Sequence, residues 1–441
     1  MKRLLETKRL IETKRLIDIL DVHPDIALET LQRARMAAFT LVKWLLCSVL
    51  SGSVIGLVGA LFYKCLQYVT NIRTTYSFTL FFLPLAGIII VFIYRLTNEA
   101  DNTGTNLVIT AIQSNVEVPV KVTPLIIIST LLTHLCGGSA GREGAALQVG
   151  GSLGDFFAKI FNFDDKDTRI MIMCGMSACF SALFGTPIAA AVFSMEVISV
   201  GVMYYAALVP CIISSLTAQG IAGLLGVTPT AFTIGDICSF NISTCLRLII
   251  MSILFALVSI AFCYMLHTSS RIYSTYIENP YIRIVTAGIL VILLRYITGT
   301  TDYLGAGAPV IASSFLSSCA WYVFILKMIF TAATLGGGFK GGEIVPTLFV
   351  GATLGSFLAP IFCLPIGLCA ACGMVSVFCG VTNCPLTSFI ISIEMFGAAS
   401  IKYVIICIAI SYMLSGYYSL YNSQKIIYSK YKTEYINRRS H

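Results

Sequence analysis

Charged residues are scarce in this chain. Of its 441 residues only 11% are Asp, Glu, Lys or Arg, whereas 57% are hydrophobic and the mean hydropathy is +0.87. Because soluble globular domains carry about 25% charged residues, this composition excludes that class. Apolar segments of a length that crosses a bilayer recur, as at 78–96, 246–266 and 401–414 with its flanks, and others are interrupted by Gly and Pro. We therefore predict an all-α integral membrane protein.

Residues on which enzymes and metal sites depend are also few. The four histidines form no cluster, the His-Glu-x-x-His signature of metalloproteases is absent, and Asp155 does not follow the Gly-x-Gly of intramembrane aspartyl proteases. The sixteen cysteines lie mostly in apolar stretches, which is typical of reduced, buried thiols. One Cys-x-x-Cys, at Cys369 and Cys372, has no second pair nearby. We expect no enzyme activity, no metal site and no cofactor.

Basic residues are concentrated at the two ends of the chain. The first 38 residues contain a near-repeat of Glu-Thr-Lys-Arg-Leu-Ile, which predicts a basic amphipathic helix on the cytoplasmic side, lying on anionic lipid. The segment 425–441 is a second basic tail. The positive-inside rule then predicts that both termini are cytoplasmic, in the cell inner (plasma) membrane. These tails largely explain the net charge of +8, and we expect no nucleic-acid partner.

Two glutamates are prominent because each follows a glycine cluster inside apolar sequence. Gly-Gly-Ser-Ala-Gly-Arg-Glu-Gly occupies 137–144, and Gly-Gly-Gly-Phe-Lys-Gly-Gly-Glu occupies 336–343. Ionisable groups at membrane depth are costly, so we predict functional roles for Glu143 and Glu343, in corresponding places of two halves. The alternative for each is a cap at a helix N-terminus. Each glutamate has a neighbouring cation, Arg142 or Lys340. These cations either raise the positive potential for anion entry or form structural salt bridges.

An internal repeat supports the existence of two halves. A Cys-Gly-Met triplet, a proline and a glutamate recur at identical spacing in the stretches 174–196 and 372–394. We predict homologous halves at about 40–215 and 245–424, within a transport domain of 39–424. Such duplicated, interrupted hydrophobic segments indicate a transport site near the membrane midplane. The repeated glutamates are interpreted as helix caps or pairing residues rather than proton relays: Glu196 and Glu394.

The glycine clusters also indicate what is transported. A glycine loop that leads into a helix directs backbone N–H groups and the positive helix end towards the membrane centre, which makes an anion site without a lysine. The carboxylate of Glu143 can itself occupy such a site, and on protonation it loses that attraction and swings away. The residues therefore predict an anion pathway with a titratable gate.

These motifs resemble the CLC family of chloride channels and anion/proton antiporters over nearly the whole chain after residue 40. The stretch 141–144 resembles the gating-glutamate motif of that family, 187–196 resembles its next helix pair, and 384–395 is similar to its second-half counterpart. The resemblance implies two repeats of opposite topology, built from short, tilted and broken helices. It also implies a homodimer with a separate pathway in each subunit.

Three departures from chloride-transporting members resemble the fluoride/proton antiporter (CLC-F) branch. Asn-Thr-Gly-Thr-Asn-Leu at 102–107 replaces their Gly-Ser-Gly-Ile-Pro, and Gly-Glu-Ile-Val-Pro at 342–346 replaces Gly-x-Phe-x-Pro. Val197 stands where they have an internal proton-path glutamate. The resemblance implies a transport role for Glu343 and places Tyr421 at the central anion site.

The expected function is export of fluoride in exchange for protons. The alternative is a chloride or nitrate antiporter, or a passive anion channel, of the same fold. The partners expected are fluoride and protons, with chloride as the alternative anion, the lipid bilayer and a second subunit. Glu143 and Glu343 are predicted to gate proton and anion. The predicted anion-binding residues are Gly141, Arg142, Gly144, Gly342, Ile344, Thr105, Asn106 and Tyr421.

Overall fold

The computed structural model describes residues 24–100 and 102–440. The chain divides into two compact units, one up to Cys47 and one from Ser48 onward, and the fold described below is that of the second. The first helix, α1 (Pro24–Thr75), contributes residues to both units. Most of the amphipathic segment predicted at 1–38 lies outside the described residues, and its last part, 24–38, forms the start of α1.

The described residues contain sixteen α-helices, which form two series of eight in the same order. After α1, the first series comprises α2 (Leu83–Leu96), α3 (Thr105–Ser114), α4 (Val122–Leu135), α5 (Glu143–Ile160), α6 (Asp165–Phe184), α7 (Pro187–Glu196) and α8 (Leu208–Leu224). The second comprises α9 (Ile242–Tyr276), α10 (Pro280–Thr298), α11 (Ala308–Ser314), α12 (Val323–Gly336), α13 (Ile344–Ile361), α14 (Ile366–Thr382), α15 (Pro385–Phe396) and α16 (Ile401–Leu414). The predicted duplication is therefore visible helix by helix.

Many of these helices are too short to cross a bilayer alone. Within the described residues, seven helical stretches are long and apolar enough to cross: Gln32–Thr75, Ser77–Leu96, Asp165–Phe184, Tyr205–Leu224, Ile242–Tyr276, Pro280–Thr298 and Ile344–Ile361. The apolar segment 401–414 is a shorter helix, α16. Interrupted helices at membrane depth are tolerated where protein surrounds them or where they line a cavity.

Glycines allow the central helices of each half to touch. A Cβ atom at Gly150 of α5 would lie 2.2 Å from the carbonyl oxygen of Gly175 in α6, and one at Gly351 of α13 would lie 2.3 Å from that of Gly373 in α14. Only residues without a Cβ permit backbones to approach so closely. The recurring glycines therefore mark the same helix crossing in both halves.

The two repeated glutamates join the halves by capping each other's helices. The Glu196 carboxylate, at the end of α7, accepts hydrogen bonds from the N–H groups of Leu386 (3.0 Å) and Thr387 (2.8 Å) at the start of α15. The Glu394 carboxylate accepts from Ile188 (2.9 Å) and Ala189 (3.0 Å) at the start of α7. This arrangement confirms the interpretation of both residues as helix caps.

The predicted basic tail folds as a hairpin. Strand β1 (Ser199–Val200) pairs in parallel with β2 (Lys425–Tyr428), which pairs antiparallel with β3 (Tyr435–Arg439). Between β2 and β3, Lys430 Nζ donates hydrogen bonds to Asn383 Oδ1, Tyr412 O (3.0 Å) and Ser415 Oγ (3.1 Å). Burial lowers the pKa of Lys430 to about 8. The tail is therefore tied to the last helices of the second half.

Candidate functional site

The two glycine loops meet in the middle of the second unit. The N–H of Gly141 donates to the carbonyl of Gly342 (2.6 Å), and the N–H of Gly342 donates to that of Gly141 (2.8 Å). Helix α5 begins two residues after Gly141, and α13 begins two residues after Gly342. The bridge therefore brings together the N-termini of one helix from each half.

This bridge corrects the expectation that the two glutamates hold corresponding places. Because Gly141 pairs with Gly342, Arg142 corresponds to Glu343, and Glu143 corresponds to Ile344. Glu143 is the first residue of α5, whereas Glu343 is the N-cap residue of α13. One residue turns a helical side chain by about 100° around the axis, so the two carboxylates leave their helices in different directions.

Glu143 is fully buried at the meeting point of the two helix ends. Its Oε2 accepts a hydrogen bond from the N–H of Arg142 (3.0 Å), and its Oε1 lies 3.5 Å from Arg142 Nε. The amide of Val345, in the first turn of α13, also faces this carboxylate. The Glu143 carboxylate accepts a hydrogen bond from an N–H at the helix start, as the capping alternative predicts. It also lies where two positive helix ends favour an anion.

Glu343 faces a cavity of about 300 Å³, which we call the Glu343 cavity. Glu343 Oε2 and the hydroxyl of Tyr421 are both buried, and neither has a hydrogen-bond partner among the described residues. Unsatisfied buried polar groups are rare and call for a ligand or water. The polar residues that line the cavity are Asn102, Thr103, Thr105, Asn106, Gln148, His267, Ser270, Lys340, Glu343, Tyr421 and Asn422.

The other predicted anion-binding residues have varied contacts. Thr105 lines the Glu343 cavity, and its hydroxyl lies 3.4 Å from the carbonyl of Gly144. The side-chain oxygen of Asn106 accepts a hydrogen bond from the N–H of Ser423 (2.9 Å), so it also holds the C-terminal segment. Ile344 is buried at the start of α13 and offers only its backbone. These residues therefore lie around one site, but they contribute different groups to it: a hydroxyl, a side-chain amide and a backbone.

Sequence reasoning missed several polar residues of the cavity, among them Gln148 and His267. Gln148 Nε2 donates to the carbonyl of Gly144 (3.2 Å), and its position one helical turn after Gly144 was a signal that could have found it. His267 Nε2 is 2.7 Å from the carbonyl of Ser419, 152 residues later in the chain. No local pattern marks a pairing over that distance.

The two cations next to the glutamates differ in their contacts. Arg142 forms the ion pair with Glu143, and its guanidinium lies over the ring of Tyr63, 4.7 Å from the centroid. Lys340 Nζ lies over the ring of Tyr94 at 4.6 Å, and within the described part of the chain no carboxylate is within 4.0 Å of it. The salt-bridge alternative thus holds for Arg142 and not for Lys340.

Arg142 lines a second cavity of about 470 Å³, which we call the Arg142 cavity. It shares no lining residue with the Glu343 cavity, and Glu143 lines neither of the two. Arg142, next to the fully buried Glu143 in the chain, faces the Arg142 cavity. The loop of Glu143 is bridged to the loop of Gly341 and Glu343, and these two residues face the Glu343 cavity.

The structure contains two series of interrupted apolar helices, and helix ends from both series meet at a buried carboxylate between two cavities. This arrangement defines a multi-pass membrane protein for ion transport. A family model described as "Voltage gated chloride channel" matches residues 85–416. The chain therefore belongs to this family, the CLC family, as its motifs predicted, and the predicted fold of two inverted repeats is confirmed.

Individual relatives and solved structures agree with this assignment. The chain is 34% identical over 396 residues to a chloride/fluoride channel protein of Pseudomonas syringae pv. tomato, covering 88% of each chain. It is 24% identical over 383 residues to an H(+)/Cl(-) exchange transporter, ClcA, of Vibrio cholerae, covering 80% of this chain and 81% of that one.

The crystal structure of a CLC-type fluoride/proton antiporter matches with a TM-score of 0.85 at 32% identity, covering 88% of this chain and 99% of the other. A slow cyanobacterial Cl⁻/H⁺ antiporter matches with a TM-score of 0.73 at 18% identity, covering 84% and 94%, and shows the shared fold.

Proposed function

We propose that this protein exports fluoride in exchange for protons. The observation that carries the proposal is the position of the Glu143 carboxylate at two converging helix N-termini, next to a cavity with two unsatisfied polar groups. The similarity to a chloride/fluoride channel protein and to a CLC-type fluoride/proton antiporter, both above 30% identical to this chain, supports the same anion.

In this proposal Glu143 carries out both parts of the exchange. As a carboxylate it occupies the anion position between α5 and α13 and excludes fluoride. When it binds a proton, its attraction to the helix ends is lost, and fluoride takes the place that it leaves. One side chain thus competes with the anion and carries the proton, so the two movements are coupled.

Fluoride is small and tightly hydrated, so the pathway must replace its water with hydrogen-bond donors. In the Glu343 cavity the unpaired hydroxyl of Tyr421 and the hydroxyl of Thr105 offer such donors. The positive Lys340 at the same cavity attracts the anion. Glu343 faces the same space, and we assign it a role in the passage of protons or anions there.

We also propose that two copies form a homodimer in the cell inner membrane, with both termini cytoplasmic. The dimer follows from family resemblance, with apolar faces of α9 and α16 as candidate contacts. The orientation follows from the basic residues at both ends of the chain.

Purified protein in liposomes tests the proposed exchange. Vesicles loaded with fluoride are diluted into fluoride-free buffer, and a fluoride electrode follows efflux while a pH electrode follows proton uptake. We expect fluoride efflux to drive protons uphill, with chloride transported poorly. Proton uptake that stays at zero during rapid fluoride efflux would overturn the exchange.

A passive anion channel, or a chloride or nitrate antiporter, is the second candidate. The name of the Pseudomonas relative, a chloride/fluoride channel protein, favours the first of these. The same assay separates them, because a channel moves anions without protons, and a chloride antiporter couples chloride as well as fluoride.

A further inference from the structure

A third cavity of about 470 Å³ is lined by neither glutamate and contains an arginine that forms no ion pair with any described residue. It is formed by the last turn of α1, the 3₁₀ helix Ser77–Phe82, the end of α10 and the start of α11. Its charged residues are Arg73, Arg295 and Asp302, with His134 on one wall, and its hydroxyls come from Thr70, Thr74, Ser77 and Thr301. We call it the Arg73 cavity.

Arg73 carries a charge that nothing in the described chain neutralises. Its Nε is buried without a hydrogen-bond partner, and among the described residues its guanidinium makes no ion pair. Arg295 lies over the ring of its neighbour Tyr296, 5.0 Å from the centroid, and forms no ion pair within the part of the chain that the structure describes. A guanidinium held in this way favours a ligand with several acceptor oxygens, since its fork of donors matches a phosphate or carboxylate.

The wall behind Arg73 holds a lysine that keeps the lining loop in place. The fully buried Lys327 Nζ donates hydrogen bonds to the carbonyls of Tyr303 (3.1 Å) and Gly305 (2.7 Å), in the loop that lines the cavity. The one carboxylate at the cavity, Asp302, is exposed and forms no ion pair with either arginine among the described residues. The cavity therefore offers an excess of positive charge at the ends of membrane-spanning helices.

The surroundings of this charge are aromatic and exposed. Phe78, Phe81 and Tyr296 line the cavity and are each more than half exposed, and the rings of Phe81 and Tyr296 lie 6.1 Å apart. Aromatic residues at the ends of membrane helices are typical of the headgroup level of a bilayer. Cations and hydroxyls beside exposed apolar rings fit a ligand with a phosphate and a hydrocarbon part.

We propose that the Arg73 cavity binds the phosphate headgroup of an acidic phospholipid, with Arg73 and Arg295 contacting the phosphate and the exposed aromatic rings contacting the acyl chains. The Arg73 cavity shares four lining residues with the Arg142 cavity: Thr70, His134, Ala306 and Ala308. A lipid bound there lies against the wall of the space that leads to Arg142, so its presence affects anion access on that side.

Native mass spectrometry of the purified protein tests this site without any transport assay. The probes are dioctanoyl phosphatidylglycerol, dioctanoyl phosphatidylcholine and inorganic phosphate, each added to delipidated protein. We expect phosphatidylglycerol to bind in preference to phosphatidylcholine, and Arg73→Gln and Arg295→Gln each to weaken that binding about fivefold, the scale of one cation near an anionic headgroup. Arg73→Lys, which keeps the charge, should retain most of the affinity.

Arg271→Gln is the matched control, because Arg271 is exposed and lines none of the three cavities. Melting temperatures measured without lipid identify any variant that is misfolded. Unchanged phosphatidylglycerol binding in the folded double variant Arg73→Gln, Arg295→Gln would overturn the proposal. Displacement of the lipid by millimolar inorganic phosphate would also overturn it, in favour of a site for free phosphate.

Discussion

The two halves of the molecule build the same helices in the same order, yet their glycine loops place an acid differently. In the first half Arg142 is the N-cap residue and Glu143 the first helical residue, whereas in the second half the acid, Glu343, is itself the N-cap residue. This shift of one residue leaves Glu143 fully buried and turns Glu343 towards a cavity. The same backbone arrangement in the two halves therefore places Glu143 and Glu343 in different environments.

The equivalent positions Arg142 and Glu343 face different cavities, as inverted repeats require. Residues related by an inverted repeat point to opposite sides of the membrane. Arg142 lines the Arg142 cavity and Glu343 lines the other, so one side of the buried carboxylate meets a cation and the other an acid. The difference between the halves is therefore a difference between the two ends of the proposed pathway.

The largest expected effect comes from breaking the bridge on which this comparison depends. In Gly342→Ala, a Cβ atom would lie 2.5 Å from the backbone nitrogen of Gly144 and 3.0 Å from that of Glu143. The helix ends must separate, so we expect loss of transport together with a loss of stability of about 1–3 kcal/mol, the usual cost of overpacking. Melting temperature in detergent and fluoride efflux from liposomes measure the two effects.

Gly223→Ala is the control, because a Cβ at Gly223 in α8 has no atom within 4 Å. It should leave transport unchanged and leave stability equal or slightly higher, since alanine favours a helix over glycine. If Gly342→Ala behaved like this control, the close approach of the two loops would not be needed.

The next effect distinguishes the fully buried Glu143 from Glu343, which lines a cavity. Glu143→Gln keeps the shape of the side chain but cannot exchange a proton, so we expect fluoride-driven proton uptake to fall by roughly 100-fold, the scale of a positioned proton-transfer group. Glu117→Gln is the control, because Glu117 pairs with Lys159 at the surface. Proton-coupled exchange that survives in Glu143→Gln would rule out the proposed gate.

Glu343→Gln should have a smaller effect, on the cavity side of the pathway alone. We expect fluoride exchange to slow by about tenfold while the remaining flux stays coupled to protons, because Glu143 is intact; tenfold corresponds to about 1.4 kcal/mol. Exchange rates and the proton-to-fluoride ratio, measured together, separate this outcome from that of Glu143→Gln. The exposed Glu278 supplies the matched control, Glu278→Gln. Complete uncoupling in Glu343→Gln would mean that the two acids act as equals.

Much of this comparison could be predicted from the sequence, but not the shift of one residue. The spacing of 174–196 and 372–394 predicted the duplicated helices, and the glycine clusters predicted positive helix ends directed towards the membrane centre. A signal for the shift was present: Gly150 and Gly351 are 201 positions apart, whereas Glu143 and Glu343 are 200 apart. Aligning glutamate with glutamate concealed it, because chemical likeness was given more weight than helix register.

Contacts between distant parts of the chain could not be predicted. The pairing of His267 with Ser419, the carbonyl partners of Lys327 and the contacts of Lys430 all depend on how helices pack, and no periodicity encodes them. The hairpin at 425–439 lies in a segment that was predicted as a basic tail, because its alternating pattern is short and its charge is high. Tertiary packing decides such segments more than local preference does.

The smallest expected effect concerns this hairpin. It follows Tyr421 in the chain, and Lys430 binds it to the last helices of the second half. An unfolded lysine titrates near 10.5, whereas burial lowers the pKa of Lys430 to about 8. Between these values the unfolded chain holds more protons than the folded protein, so Lys430 makes the protein more stable as pH rises through that window.

Lys430→Gln removes this contribution. The melting temperature of wild type minus that of the variant should therefore be larger at pH 9.5 than at pH 7, with Lys432→Gln as the exposed control. A difference that stays constant with pH would show that Lys430 holds the hairpin by its hydrogen bonds alone, without a change of charge.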